Sequence, residues 1–438
     1  MYYTQDITYC LRDRVEFGVA DEDLAYYLSQ LDQGLDRLKK NYSHHRLPWL
    51  HVPERKDDLA VFAECAGRYR AAFRDVVVLG TGGSSLGAQA LHNLVHTGYG
   101  DDRKNPRLHI VSTIDPFTFS KLLGSLNLRR TGFIVISKSG TTAETLIQFA
   151  TVIDAIRREL DDSWLPHAIT VITQPMDSPV KRLALRYDMP VLDHDPNLGG
   201  RYSVLSVVGL LPAMIAGLDA RALRAGAAEM VNAILSAKDS FEVDAAIGAA
   251  VSVAMAKRRR MQLSVMLTYS DRLMAMTDWY RQLWAESLGK DGEGTTPYCA
   301  VGPVDQHSQL QLWLDGPPDK FFTVLAGPDS LSSYSALPDL EWDPQLAYLA
   351  NTRMDELKEA MCFATTETLA GNGRPVRTIR LNAMDELSTG AVMMHFMLET
   401  VLAAGLLNVN PYDQPAVEQG KNLVRAILGR RGEGLRAA

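Results

Sequence analysis

The sequence predicts an α/β protein with a doubly wound parallel sheet and a second α/β domain, and three observations predict it. Short, near-continuous apolar runs end in glycine- or hydroxyl-rich loops, as strands buried on both faces do. Helix-like segments separate those runs, so that successive strands pair in parallel through crossovers. A chain of 438 residues is also too long for one simple core, and two or three domains are expected.

Residues 1 to about 70 read as helical and charged, with a break at Leu47-Pro48-Trp49. Val76–Leu79, Leu108–Ile114, Phe133–Ile136, Ala168–Ile172 and Pro190–Leu192 then read as strands. Ala88–Val95 and Thr142–Arg158 are among the helices between them. A long helical region follows, to about Met261. A second alternation has strands at Leu263–Leu267, Tyr298–Val301, Phe321–Val324 and Arg377–Leu381. The last helix, about Pro415 to Leu428, precedes a glycine-rich tail (Gly429–Gly434) that is expected to fray. These signals divide the chain into a helical segment (1–70), a first α/β domain (71–215), a second with a helical linker (216–410), and a C-terminal helix and tail (411–438).

Composition narrows the function. The formal net charge of −7 argues against a general nucleic-acid or membrane surface. The one basic cluster, Lys257-Arg258-Arg259-Arg260, reads as a solvated helix end. Cys10, Cys65, Cys299 and Cys362 form no CxxC pair, which fits reduced thiols and a cytoplasmic location. The N-terminus carries no secretory pattern, and no apolar run is long enough to span a bilayer.

Two loops carry the chemistry. Gly80-Thr81-Gly82-Gly83-Ser84-Ser85-Leu86-Gly87 and Ser137-Lys138-Ser139-Gly140-Thr141-Thr142-Ala143-Glu144-Thr145 each join a strand to a helix. Such loops present backbone N–H groups to an anion where the helix dipole favours negative charge. The first fails the dinucleotide fingerprint: Ser85 stands where the third glycine belongs, and the acidic Asp115 comes too late. Alone it reads equally well as a tight turn. The second holds five hydroxyls in nine residues (Ser137, Ser139, Thr141, Thr142, Thr145) beside Lys138. A helix cap needs one hydroxyl; a phosphate has acceptor oxygens for several. It is not a Walker A loop, so ATP is not implied.

Further segments carry weaker signals. Gly199-Gly200-Arg201 places a guanidinium after two flexible residues, suited to an oxyanion, a carboxylate or a structural ion pair. Gln282 and Glu286 lie four apart on a helix, Asp271–Ser287, whose buried stripe is Leu273, Met276, Tyr280, Leu283 and Trp284. Glu286 sits at the edge of that stripe, either as a usable base or as a solvated helix glutamate. His307 stands in Asp305-Gln306-His307-Ser308. His92 and His96 are four apart, but Asn93 replaces the glutamate of a zincin, so they read as helix-surface histidines. No three-ligand metal set emerges.

Together these segments, with Gln414-Pro415-Ala416-Val417-Glu418-Gln419-Gly420-Lys421, resemble the phosphoglucose isomerases in their shorter bacterial form. The resemblance runs in the family's order from about residue 75 to 425. Gly80–Gly87 is similar to the family's Gly-Ile-Gly-Gly-Ser-x-Leu-Gly loop, and Ser137–Thr145 to its phosphate loop. Gln282–Ser287 is similar to the helix that carries its base. Leu288 departs from the family's usual asparagine, and Asp305 from a frequent glycine. Gln311-Leu312 and Leu314-Asp315-Gly316 also resemble the isomerase half of transaldolase–isomerase fusion proteins.

The resemblance implies two sugar-isomerase (SIS) domains, each a three-layer αβα sandwich, in a homodimer with a shared active site. It implies interconversion of glucose 6-phosphate and fructose 6-phosphate through a cis-enediol, with no metal and no cofactor. Glu286 is then the base, Arg201 stabilises the enediolate, and His307 and Lys421 open the sugar ring. Gly83, Ser84, Ser137, Lys138, Ser139 and Thr142 hold the phosphate, and Gln282 and Gln414 orient hydroxyls. A non-catalytic sugar-phosphate sensor and a dual glucose/mannose phosphate isomerase are the alternatives. A sensor needs only the phosphate loop.

Overall fold

The computed structural model describes residues 2–96, 104–328 and 335–436. Among the described residues, ten strands form two five-stranded sheets. They are β1 (Tyr3–Asp6), β2 (Asp75–Leu79), β3 (Arg107–Val111), β4 (Thr131–Ile136), β5 (Ile169–Thr173), β6 (Val191–Asp193), β7 (Leu263–Thr268), β8 (Thr296–Val301), β9 (Lys320–Ala326) and β10 (Val376–Leu381).

The first sheet runs β3-β2-β4-β5-β6, all parallel. Its central strands are buried along their whole length, which is why they read as unbroken apolar runs. From β2 the chain crosses to β3 on one side, and from β4 it proceeds to β5 on the other. The order therefore reverses between β2 and β4, where doubly wound sheets bind ligands beyond the strands' carboxyl ends. Both glycine- and hydroxyl-rich loops leave the sheet at that point. Asp115, the late acidic residue, caps the helix Pro116–Ser125 by accepting from the Thr118 N–H at 2.8 Å.

The second sheet runs β1-β10-β9-β7-β8. It is parallel except for β1, which pairs antiparallel with β10 at the edge. The N-terminal segment is thus not wholly helical. Tyr3-Thr4-Gln5-Asp6 is too short for its alternation to stand out, and it is recruited by the exposed edge of β10. Helices fill the region between the sheets, as the long helical stretch predicts: Val207–Ile215, Ala220–Ser236 and Asp244–Arg258.

Glu386–Leu407 is a 22-residue helix long and apolar enough to cross a bilayer, and 78 % of its most apolar window is buried inside the molecule. The sequence reading missed it because His395 and Glu399 interrupt the apolar run. Those two side chains face a buried network: Arg377 Nη1 lies 2.8 and 2.9 Å from the Glu399 carboxylate oxygens, His395 Nε2 lies 2.9 Å from Glu399, and Tyr3 Oη lies 2.7 Å from His395 Nδ1. The network joins β1, β10 and this helix, which is the core helix of the second half.

Three local expectations are corrected. His92 is not on the surface: it is 7 % exposed, and burial together with His96 pushes its imidazole down to about 4. The basic cluster is not simply solvated. Lys257 pairs with Glu293, Arg258 with Asp23 at 2.9 Å, and Arg259 donates to the carbonyls of Phe17 and Glu16. The last helix runs Glu418–Arg436, through glycines expected to end it. Each costs only about 1 kcal/mol relative to alanine, and charged helix formers separate them.

Candidate active site

The Asp271–Leu288 helix forms because its five predicted stripe residues, with Trp279 and Leu288, are all buried. Each such side chain contributes roughly 1.5–3 kcal/mol. It follows β7 of the second sheet yet packs against Leu86–Asn93, the helix that leaves the first glycine loop. This contact carries Glu286, in the helix's last turn, to the switch point of the first sheet.

Arg201 meets it there. Its side chain is 4 % exposed, against 34 % for that of Glu286. The guanidinium has five N–H donors, and each has an acceptor. Nε donates to Ser287 Oγ at 2.9 Å. Nη1 donates to Glu286 Oε2 at 3.0 Å and Gln414 Oε1 at 2.9 Å. Nη2 donates to the carbonyls of Pro411 at 2.6 Å and Asp413 at 2.9 Å. The other Glu286 oxygen accepts from Gln282 Nε2 at 3.1 Å. The carboxylate is held on both sides and remains open to solvent in part. Gln282 Oε1 is buried with no hydrogen-bond partner among the described residues.

The first loop is packed onto this cluster. A Cβ added at Gly83 would lie 2.3 Å from the carbonyl carbon of Gly200, and only glycine permits that approach. Gly82 has φ +58, and a Cβ there would sit 2.9 Å from Gln282 Nε2. Ser84 ends the short turn Gly82–Ser84. In the second loop Thr142 is the N-cap residue of Ala143–Glu159, but its side chain makes no capping bond. Instead Ser137 Oγ donates to Thr142 Oγ1 at 3.3 Å, while Ser139 and Thr141 pair at 2.9 Å. The hydroxyls are thus not consumed by capping the helix. Thr145 is different: it is 1 % exposed in the first turn and belongs to the core. Burial lowers the Lys138 ammonium from its usual range, and Asp195 opposes that shift.

Arg201, Glu286, Gln282 and Gln414 are therefore brought together, beside Gly83 and Ser84. Two predicted residues are not. His307 is exposed in the short helix Val304–Ser308 beyond β8, and no contact within the chain joins it to Glu286. Lys421 lies in the exposed C-terminal helix, 2.7 Å from Glu418 Oε1. Sequence reasoning missed Ser287, whose hydroxyl accepts from Arg201 and lies 3.0 Å from Tyr202 Oη. It also missed Lys290, whose ammonium lies 2.8 Å from the carbonyl oxygens of Glu286 and Ser287. The available signal was a cation four residues after Glu286, at a helix C-terminus. Among the described residues no group of three His, Cys, Asp or Glu side chains could hold a metal ion.

Two αβα halves, with glycine- and hydroxyl-rich loops at the switch point of the first sheet and a carboxylate–guanidinium pair beside the first of them, define a protein of the sugar-isomerase (SIS) fold class. The chain belongs to the phosphoglucose isomerase family, whose model matches residues 60–304. It is 39 % identical to glucose-6-phosphate isomerase of Rubrobacter xylanophilus, over 98 % of this chain and 99 % of that one. With the Carboxydothermus hydrogenoformans enzyme of the same name it shares 33 % identity, over 94 % and 92 %. Among solved structures, hypothetical protein TT0462 from Thermus thermophilus superposes with a TM-score of 0.83 at 30 % identity, covering 97 % and 99 %. A glucose-6-phosphate isomerase from Chlamydia trachomatis gives 0.82 at 19 %, covering 99 % and 89 %, which speaks to the fold.

Proposed function

We infer that this chain is an aldose–ketose isomerase interconverting glucose 6-phosphate and fructose 6-phosphate. The observation that carries the reading is the Glu286 carboxylate, held between Arg201 and Gln282 beside the first glycine loop in a member of this family. Gly83, Ser84, Ser137, Ser139, Thr142 and the Lys138 backbone hold the phosphate. Anchoring that group sets C1 and C2 of the open-chain sugar near the base, the proximity contribution. Glu286 removes the proton from C2 of the aldose; the C–H electrons form the C1=C2 bond, and charge moves onto the carbonyl oxygen. Arg201 offsets that charge, already fixed in place by five hydrogen bonds. Transfer of the O2 proton to O1, with return of the abstracted proton from Glu286 to C1, gives the ketose. Gln282 and Gln414 orient hydroxyls.

Ring opening falls to His307 and Lys421. The active unit is a homodimer, and the partner subunit's His307 serves the site built on Glu286. Support comes from the exposure of His307 and of its apolar neighbours Val304 (61 %) and Leu312 (52 %). All four cysteines are free, which supports a reducing, cytoplasmic location. A coupled assay of the purified protein with fructose 6-phosphate, with and without chelator, tests the reading. Activity is expected in both arms. No turnover refutes the reading, and loss on chelation restored by a divalent ion refutes the metal-free mechanism.

A further inference from the structure

Glu286 lies in the last turn of its helix, so the position of its carboxylate depends on how that end is fixed. The last carbonyls of a helix lack partners within it. Here Gly289 N–H donates to the Ala285 carbonyl at 2.9 Å, and Lys290 N–H to that of Leu288 at 2.8 Å. The carbonyls between them, on Glu286 and Ser287, each accept from Lys290 Nζ at 2.8 Å. No basic residue occupies the last turn itself, and Leu288 is 1 % exposed in the core. Lys290 therefore supplies the positive charge at the negative end of the helix dipole.

The turn that follows makes this geometry possible. Asp291 has φ +54 and Gly292 φ +77, which reverses the chain directly after Lys290. The Lys290 side chain is 11 % exposed and lies 3.6 Å from Asp413 Oδ1. The Asp413 carbonyl in turn accepts from Arg201 Nη2. Lys290 is thus tied to both members of the central pair, to Glu286 through its own carbonyl and to Arg201 through Asp413. Burial and the Arg201 guanidinium hold the ammonium below the usual lysine range, while Asp413 and Glu286 oppose that shift.

We propose that Lys290 is a positioning residue for the isomerisation: by pinning the helix end under Glu286 and the loop that holds Arg201, it keeps carboxylate and guanidinium in register without touching substrate. The proposal rests on Glu286 as the base. Its test compares kcat and KM for fructose 6-phosphate in wild type, Lys290→Met, Lys290→Arg and Asp413→Asn. Methionine keeps most of the stem and removes the donors. A displacement on the order of 1 Å costs up to about 100-fold, so Lys290→Met is expected to lower kcat roughly 10- to 100-fold. KM should stay within about twofold, because the phosphate loops are untouched. Lys290→Arg, which still reaches the two carbonyls, should recover most of the loss. Asp413→Asn breaks a half-exposed ion pair worth under about 1 kcal/mol, so a fall in kcat of about threefold is expected.

Wild-type kcat in Lys290→Met, or a loss carried wholly by KM, overturns the proposal. Failure of arginine to restore a folded variant also overturns it. If Lys290→Met does not fold, Asp413→Asn decides, and an unchanged kcat there is the contrary result. An inactive wild type overturns the functional reading and this proposal together, whereas an active wild type with unaltered variants overturns this one alone.

Discussion

At the scale of single residues, the proposed mechanism separates groups that bind from groups that react. The phosphate does not change during isomerisation, so hydroxyls that touch it contribute mostly uniform binding. Ser137→Ala and Thr142→Val are therefore expected to raise KM roughly 10- to 100-fold, each lost hydrogen bond to a charged group being worth about 1.5–3 kcal/mol. Steady-state kinetics with fructose 6-phosphate, plus inhibition by a phosphorylated sugar acid, check this; unchanged KM in both variants counts against the cradle. Much of this set was legible beforehand. Glu286 and Gln282 stand four apart at the edge of an apolar stripe, and the second loop has more hydroxyls than a cap needs. Thr145, counted among the five hydroxyls, faces the core instead, because a hydroxyl in a loop pattern does not reveal which way it faces once the helix begins. Ser287 was not legible, and Lys290 left only the signal of a cation just past a helix end. Arg201 lies 86 residues from Ser287 and 210 to 213 from its partners in the 411–414 loop. Pairings at that separation follow from tertiary packing, not from local pattern.

Among the elements, strands and the helix of Glu286 were read well because burial on both faces, or on one stripe, leaves a strong periodic signal. The helix Glu386–Leu407 was obscured by the polar residues that matter most to it. Arg377 and Glu399 are both fully buried. Burial raises the Glu399 carboxyl, but Arg377 and the His395 hydrogen bond outweigh it and hold the group below its ordinary value. A group depressed in the fold contributes stability that is present above its unfolded value and lost as pH falls through the folded one. Glu399→Gln strands the buried guanidinium and is expected to cost about 3–5 kcal/mol near neutral pH. Below the ordinary value of 4.5 the gap between wild type and variant should narrow. Chemical denaturation across a pH series measures both. A gap that stays constant down to strongly acid pH contradicts the ionised pairing. The antiparallel β1, tied to this network through Tyr3, was missed because four residues carry too little periodicity.

For the whole molecule, one chain brings together Glu286, Arg201, Gln282 and Gln414 beside the first glycine loop but leaves His307 and Lys421 outside. The C-terminal helix exposes Leu423 (61 %), Val424 (46 %), Ile427 (50 %) and Leu428 (55 %) on its surface. Both facts agree with a site completed by a second copy. His307→Ala and Glu286→Gln homodimers are each expected to be inactive, and subunit exchange should restore activity, because one site in a heterodimer then holds both native residues. Native mass spectrometry confirms the heterodimers, and no recovery places both residues in one chain's site. The central claim is that Glu286 moves a carbon-bound proton. Fructose 6-phosphate is incubated in deuterium oxide with wild type or Glu286→Gln and followed by proton NMR. Wild type should form glucose 6-phosphate with deuterium entering at carbon, and the variant should show neither product nor label beyond roughly 10²–10⁴-fold slower rates. Isomerisation by the variant at a rate near wild type, with the same label uptake, would contradict the account.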